Sequence, residues 1–270
     1  MDYLSLEEKK QLSLETLLFF HRCCNNNGIS YFLAYGTLLG AIRHKGFIPW
    51  DDDVDVFMPR PDYERFLDSF NDPSEKFYLA CVESDKDYMF PYAKLENLTS
   101  ARLIRDGEID HQGIGMDLFP LDGVPVDLEE AEPVWSRKRY ILDKIIYRFE
   151  YYMRLPSDSL FNRMRRLSGE LFCRTGILKK LAKYAALHQM TADYYSADKV
   201  TYMYQLTSKE RHYYFDRKLF TPLLLNFEGH PLYVPEGYDE ILTRLYGDYM
   251  TPPPTSERDS THLDIYIMRP

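Results

Sequence analysis

Residues 34–57 read AYGTLLGAIRHKGFIPWDDDVDVF. The stretch holds a small turn, Gly36-Thr37, and ends with Asp51, Asp52, Asp53 and Asp55 running straight into Val54, Val56 and Phe57. The apolar run ISYFLAY (29–35) predicts a strand. LLGAIRH predicts a short helix starting on the Gly-Thr turn, and the β-branched and aromatic content of VDVFM (54–58) predicts a second strand. Alternate side chains of a strand point the same way, so Asp53 and Asp55 are expected on one face while Val54 and Val56 enter the core. Two carboxylates held that close repel each other and push one pKa up. A divalent cation between them removes the conflict, and hard oxygen donors suit Mg²⁺ or Mn²⁺.

Working outward, Ser5 and Glu8 have capping-box spacing and open a helix through LEEKKQLSLETLLFFHRC, which stops at Asn25-Asn26-Asn27-Gly28. Pro61-Asp62 starts another over DYERFLDSF. Short strands follow in FYLACV, YAKL, SARLI and GIGMDLF. In the last of these Asp117 stands among apolar neighbours, where an unpaired charge is costly, so a metal or a cation partner is expected. The strand–Gly36-Thr37–helix turn presents backbone N–H groups to a phosphate, with the Thr37 hydroxyl as a further donor. Lys94, inside YAKL, needs an anion if buried and is assigned to a diphosphate. Arg43, at the end of the short helix, either contacts phosphate or complements the helix dipole. Asp51 is a peripheral candidate that alternatively caps a turn. His111 and His262 are candidates for a general base, and Trp50 is expected to pack beneath the acidic loop. Strand, Gly-Thr turn, helix, DxD strand and a later lone Asp form the pattern of a nucleotidyltransferase-like core with a mixed sheet, an α/β (α+β) fold.

Residues 34–66, together with YAKLENLTS, GMDLFPLDGVP and YGDYM, resemble the LicD family, and the fukutin-related alditol-phosphate transferases are similar in their core. The likeness is dense over 29–125 and sparse over 230–262. It implies metal-dependent transfer of a substituted phosphate, phosphocholine from CDP-choline being favoured, to a hydroxyl of a cell-surface glycan or its lipid-linked precursor, with CMP leaving. Lipopolysaccharide and teichoic acid are acceptors of that class. By position, Asp53, Asp55 and Asp117 fall on the family's metal carboxylates, and Gly36 and Thr37 on its phosphate-contacting turn. The alcohol on the donor stays open; aromatic rings suit a quaternary ammonium, and the segments DYYS and HYYF offer them. Rival readings are a sugar-nucleotide DxD glycosyltransferase, a true nucleotidyltransferase and a calcium-binding module. The last fails because Val56 stands where an EF-hand loop needs Gly and Asp62 where it needs Glu.

The organisation expected is a catalytic core over 1–126, a mainly helical, basic insertion over 127–225, and a C-terminal segment, 226–270, returning to the core. With 270 residues, 45% of them hydrophobic, the chain can bury a sizeable core. A net charge of −9 argues against nucleic-acid binding. Residues 135–185 nonetheless hold 13 Lys and Arg against 4 Asp and Glu. Such an asymmetry fits either a solvated helix face or contact with an anionic membrane surface. The four cysteines have neither zinc nor disulfide-scaffold spacing and read as reduced thiols. No apolar run reaches the roughly 18 residues of a spanning helix, and MDYLSLEEKKQ does not resemble a signal peptide. The location expected is the cytoplasm, with a peripheral position at the inner face of the membrane as the alternative. The sequon Asn97-Leu98-Thr99 has no use there.

Overall fold

The computed structural model describes residues 3–82, 88, 90–103, 109–110, 113–127, 192–202, 214–258 and 265–268, with a few positions between 137 and 168. Helix α1 (Leu6–Asn27) opens on the expected reciprocal cap: the Ser5 hydroxyl accepts from Glu8 N and the Glu8 carboxylate accepts from Ser5 N. It closes on Gly28, whose φ of 60° favours glycine. Its inward face buries Leu17, Phe20 and Cys24, and Phe20 meets Tyr31 and Phe66 edge to face at 5.0 and 4.9 Å.

The segment expected as a seven-residue strand pairs only over β1 (Phe32–Leu33), because the chain turns into helix α2 (Tyr35–Arg43) at once. Tyr35 makes that turn with φ 43°, a left-handed conformation that a bulky side chain seldom adopts. Strand β2 (Val54–Pro59) and helix α3 (Arg60–Ser69) follow as predicted. Next come β3 (Phe77–Ala80), β4 (Ala93–Asn97), β5 (Ser100–Leu103), β6 (Ile109–Asp110) and the long β7 (Ile114–Gly123).

The central sheet runs β1-β2-β7-β4-β3, with β2 and β7 parallel and the other neighbours antiparallel. Strand β8 (Lys199–Tyr202) pairs with the end of β7, and β9 (Phe215–Asp216) pairs with β8. The mixed α/β architecture is therefore the one expected. Within the segment read as a helical insertion, however, β8 and β9 extend the core sheet, and the boundary drawn at 225 falls inside β10 (Pro222–Phe227). Most of the basic stretch 135–185 lies outside the described residues.

Strand β10 and β11 (His230–Pro235) form a hairpin whose turn residues, Glu228 and Gly229, have φ of 50° and 82°. Two positive φ values are what a two-residue type I′ turn requires. The Glu228 carboxylate accepts from Phe47 N at 2.9 Å and so fastens the loop leading into the acids. Helix α4 (Tyr238–Tyr246) covers residues 238–246 as predicted, and β12 (Ile265–Met268) pairs with β5. Arg60, at the start of α3, and the fully buried Asp122 of β7 form a bidentate pair with both contacts at 2.7 Å. Asn97 is also fully buried, so its side chain is not presented to glycosylation. Among the described residues, no helix is long and apolar enough to cross a membrane.

Candidate active site

The parallel pairing of β2 with β7 sets Asp55 opposite Asp117, and the antiparallel pairing of β7 with β4 sets Lys94 opposite Asp117. Three adjacent strands thus carry carboxylate, carboxylate and ammonium in one row. The alternation expected along β2 is observed: Val54 and Val56 are buried, whereas Asp53 and Asp55 are half-buried. Lys94 Nζ lies 3.5 Å from Asp117 Oδ1. This ion pair is the cation partner that the sequence offers Asp117 as an alternative to a metal, and it engages the lysine expected at a diphosphate.

The row lines a cleft of about 150 Å³ with Asp52, Asp53, Val54, Gly115 and, from α1, Lys9 and Ser13. That is less than the roughly 300–1,000 Å³ of a pocket enclosing a drug-sized ligand. It suits the charged end of a larger molecule. Burial raises the pKa of Asp55 well above the usual carboxylate range, and the charges of Asp117, Asp53 and Asp51 raise it further against the opposing effect of Lys94. Concentrated negative charge on oxygen donors is what a hard divalent cation relieves. Among the described residues, no three His, Cys, Asp or Glu groups come together closely enough to hold a metal by themselves. Mg²⁺ commonly takes one or two carboxylates and completes its sphere with water and substrate phosphate, so the donor set fits that kind of ion.

Thr37 fixes the DxD strand. Its buried hydroxyl accepts from Asp55 N at 2.9 Å and lies 3.4 Å from the Asp53 carbonyl, to which it donates. Ala34 N donates to the Asp55 carbonyl at 2.9 Å. The entry to α2 is therefore bonded to both peptide groups of Asp55. The side chain expected to donate to a phosphate is engaged with main chain. Gly36 faces Asp51 so closely that an added Cβ would lie 2.8 Å from Asp51 Oδ2. Asp51 Oδ1 also accepts from Asp53 N at 3.4 Å, so this acid folds back over the helix N-terminus.

Asp52 is buried. It pairs with Lys9 at 3.2 Å, and its carbonyl accepts from Ser13 at 3.1 Å. Neither α1 residue was singled out from the sequence. The available signal was Lys9 and Ser13, four apart on the helix face that also carries the buried Thr16, Leu17 and Phe20. Arg43 does not line the cleft. It sits at the opposite end of α2, where it donates to the Tyr249 carbonyl at 2.7 Å and ties in the YGDYM segment. Trp50 packs against the core, with the Arg258 guanidinium 5.0 Å from its ring. His111 and His262 lie outside the described residues.

Two residues further along the face that carries Asp55 and Asp117 stand Phe57 and Phe119, also paired in register. Around Phe119 gather Tyr92 at 4.8 Å, Tyr202 at 4.9 Å and Tyr35 at 5.5 Å between ring centroids. Tyr35, Tyr92 and Phe119 are only half-buried. The acidic row is therefore bordered by partly exposed rings.

A mixed sheet with paired acids at the head of two parallel strands, fed by a strand–turn–helix, is the framework of a phosphate-handling transferase. Residues 28–162 match the family described as LicD/FKTN/FKRP, nucleotidyltransferase domain. Over 273 aligned residues the chain is 32% identical to the lipopolysaccharide cholinephosphotransferase LicD of Haemophilus influenzae, with 99% of this chain and all of that protein covered. Shorter likenesses reach uncharacterized proteins of two Rickettsia species. One, from Rickettsia typhi, is 38% identical over 87 residues (29% of this chain, 28% of that protein). The other, from Rickettsia prowazekii, is 31% identical over 123 residues (42% and 46%). The chain belongs to the LicD family and is an enzyme, a phosphotransferase.

Proposed function

We propose that this enzyme transfers phosphocholine from CDP-choline to a hydroxyl of a lipopolysaccharide-type glycan or its lipid-linked precursor, releasing CMP. The observation that carries the reading is the 32% identity, over nearly the full length of both chains, with a cholinephosphotransferase, combined with the Asp55–Asp117–Lys94 row. In the reaction the acceptor oxygen bonds to the phosphorus that bears choline. The bridging P–O bond breaks, its electron pair leaves with CMP, and the hydroxyl proton passes to a base.

One or two of Asp53, Asp55 and Asp117 would ligate a Mg²⁺ or Mn²⁺ ion, with water and substrate phosphate completing its sphere, and the ion would supply electrostatic stabilisation of charge on the phosphate oxygens. Lys94 keeps a cation beside Asp117 and offers an ammonium to the donor diphosphate. Thr37 and Ala34 hold the backbone of Asp55, so the carboxylate row is fixed before substrate arrives. The backbone N–H groups at the start of α2 would receive a phosphate oxygen of the donor. The choline nitrogen lies two carbons from its ester oxygen, and one same-face step along a strand is about 6.6 Å. A phosphate at the acidic row therefore brings the ammonium toward Phe119, Tyr92 and Tyr35, whose ring faces attract a cation.

The test is to incubate the protein with Mg²⁺ or Mn²⁺ and, in parallel, CDP-choline, other CDP-alcohols, UDP-sugars or CTP. CMP, UDP and pyrophosphate are then followed. CMP release from CDP-choline, reduced at least a hundredfold in Asp53→Asn, Asp55→Asn and Asp117→Asn, is expected. Release of UDP or pyrophosphate instead would overturn the reading in favour of a glycosyltransferase or a nucleotidyltransferase.

A further inference from the structure

Far along the chain from the acidic row, residues 160–168 include a helical stretch whose large apolar side chains face solvent. Leu160, Phe161, Met164 and Leu167 are 76, 66, 63 and 62% exposed. At about 100° per residue these four positions share an arc of roughly 120°, the width of an apolar face that a globular protein ordinarily turns inward. Arg163 and Arg165 fall on the two edges of that arc, and the Arg165 guanidinium lies 5.4 Å from the Phe161 ring.

We propose that this face docks the enzyme on an anionic lipid surface, lying in the plane of the headgroups. Apolar side chains at the centre enter the acyl boundary, while arginines on both edges extend their charged ends to the phosphates. Charge complementarity selects lipid over a second copy of this chain. The face lies in the one strongly basic segment of a protein whose net charge is −9, so elsewhere the protein repels such a surface. Docking here would bring the enzyme to a lipid-linked acceptor. The physical argument for the surface does not depend on which donor is used.

The full chain is floated with vesicles of phosphatidylcholine containing phosphatidylglycerol, and with phosphatidylcholine alone, in low and high salt. Binding to the anionic vesicles that weakens with salt is expected. The pair Leu160→Ser and Phe161→Ser is expected to bind at least about tenfold more weakly. Its melting temperature should be unchanged because both side chains are exposed. Phe161→Trp keeps binding and shifts its fluorescence to the blue on vesicles. If the serine pair proves unstable, Arg163→Gln with Arg165→Gln gives an independent arm, with about a thirtyfold loss at low salt. Absence of binding by the wild type, or binding by both variant pairs as tight as that of the wild type, overturns the proposal. So does a wild-type dimer that the serine pair makes monomeric without any lipid binding. The vesicle readout uses no donor turnover, so its failure is distinct from failure of the proposed reaction.

Discussion

Thr37→Val removes one hydroxyl and keeps the shape of the side chain. That hydroxyl accepts from Asp55 N at 2.9 Å and donates toward the Asp53 carbonyl, at a site almost closed to water. Valine leaves the Asp55 N–H without its acceptor. An orphaned buried donor costs about 1–3 kcal/mol. A chain of this size loses roughly 2–4 °C of melting temperature per kcal/mol, so a drop of about 5 °C is expected. The effect on turnover should be larger than on stability. Asp55 hangs from the peptide that Thr37 holds, and a displacement of about 1 Å at a reacting centre costs on the order of a hundredfold. Thr37→Ser keeps the oxygen and should stay close to wild type in both respects.

The assay pairs a calorimetric melt with CMP release from CDP-choline, separating kcat from KM. The positioning role predicts a fall mainly in kcat for Thr37→Val. A valine variant that melts and turns over like wild type would refute the reasoning. A rise confined to KM with an unchanged melt would instead mean that the hydroxyl touches donor phosphate rather than the strand.

Arg60→Ala strands the fully buried Asp122 carboxylate and should destabilise the fold by about 3–5 kcal/mol in denaturant unfolding. Replacing both partners together, Arg60→Met with Asp122→Leu, should recover most of that loss. Burial, together with the Asp239 carboxylate that accepts its hydroxyl at 2.6 Å, pushes the Tyr249 pKa up to about 12. The folded state therefore keeps a proton that the unfolded chain gives up near pH 10. Stability from this group is complete below about pH 10 and is lost as pH rises toward 12, and a Tyr249→Phe variant should show a flatter loss across that window in alkaline unfolding. Phe119→Leu should raise KM for CDP-choline about fivefold, with a much smaller change for CDP-glycerol, which carries no cation; Phe119→Tyr should restore it. Equal effects on the two donors would count against a cation-binding ring.

Much of the core was legible because local signals and tertiary demands agree there. The Ser5 and Glu8 cap, the alternation through Val54 and Val56, and the period of 238–246 each name an element whose buried face the fold then uses. The hairpin over 222–235 was missed although its Glu-Gly turn between apolar runs is a local signal. Strands β8 and β12 are harder to see, since each is four residues long and is defined by a distant partner, β7 or β5. The same division runs through the site. Asp53 and Asp55 announce themselves by spacing, and Asp117 by its isolation among apolar residues. What each acid does depends on pairings that no spacing encodes. Asp52 became a buried strut only because α1 brings Lys9 and Ser13 across the sheet end, and Asp117 met Lys94 only because β4 runs antiparallel to β7 in that register. A one-residue slip of β4 would turn Lys94 to the other face and leave Asp55 and Asp117 to repel each other without it. The register of β4 on β7, fixed by the apolar residues Ala93 and Leu95 on the opposite face, is thus as much a part of the site as the acids themselves.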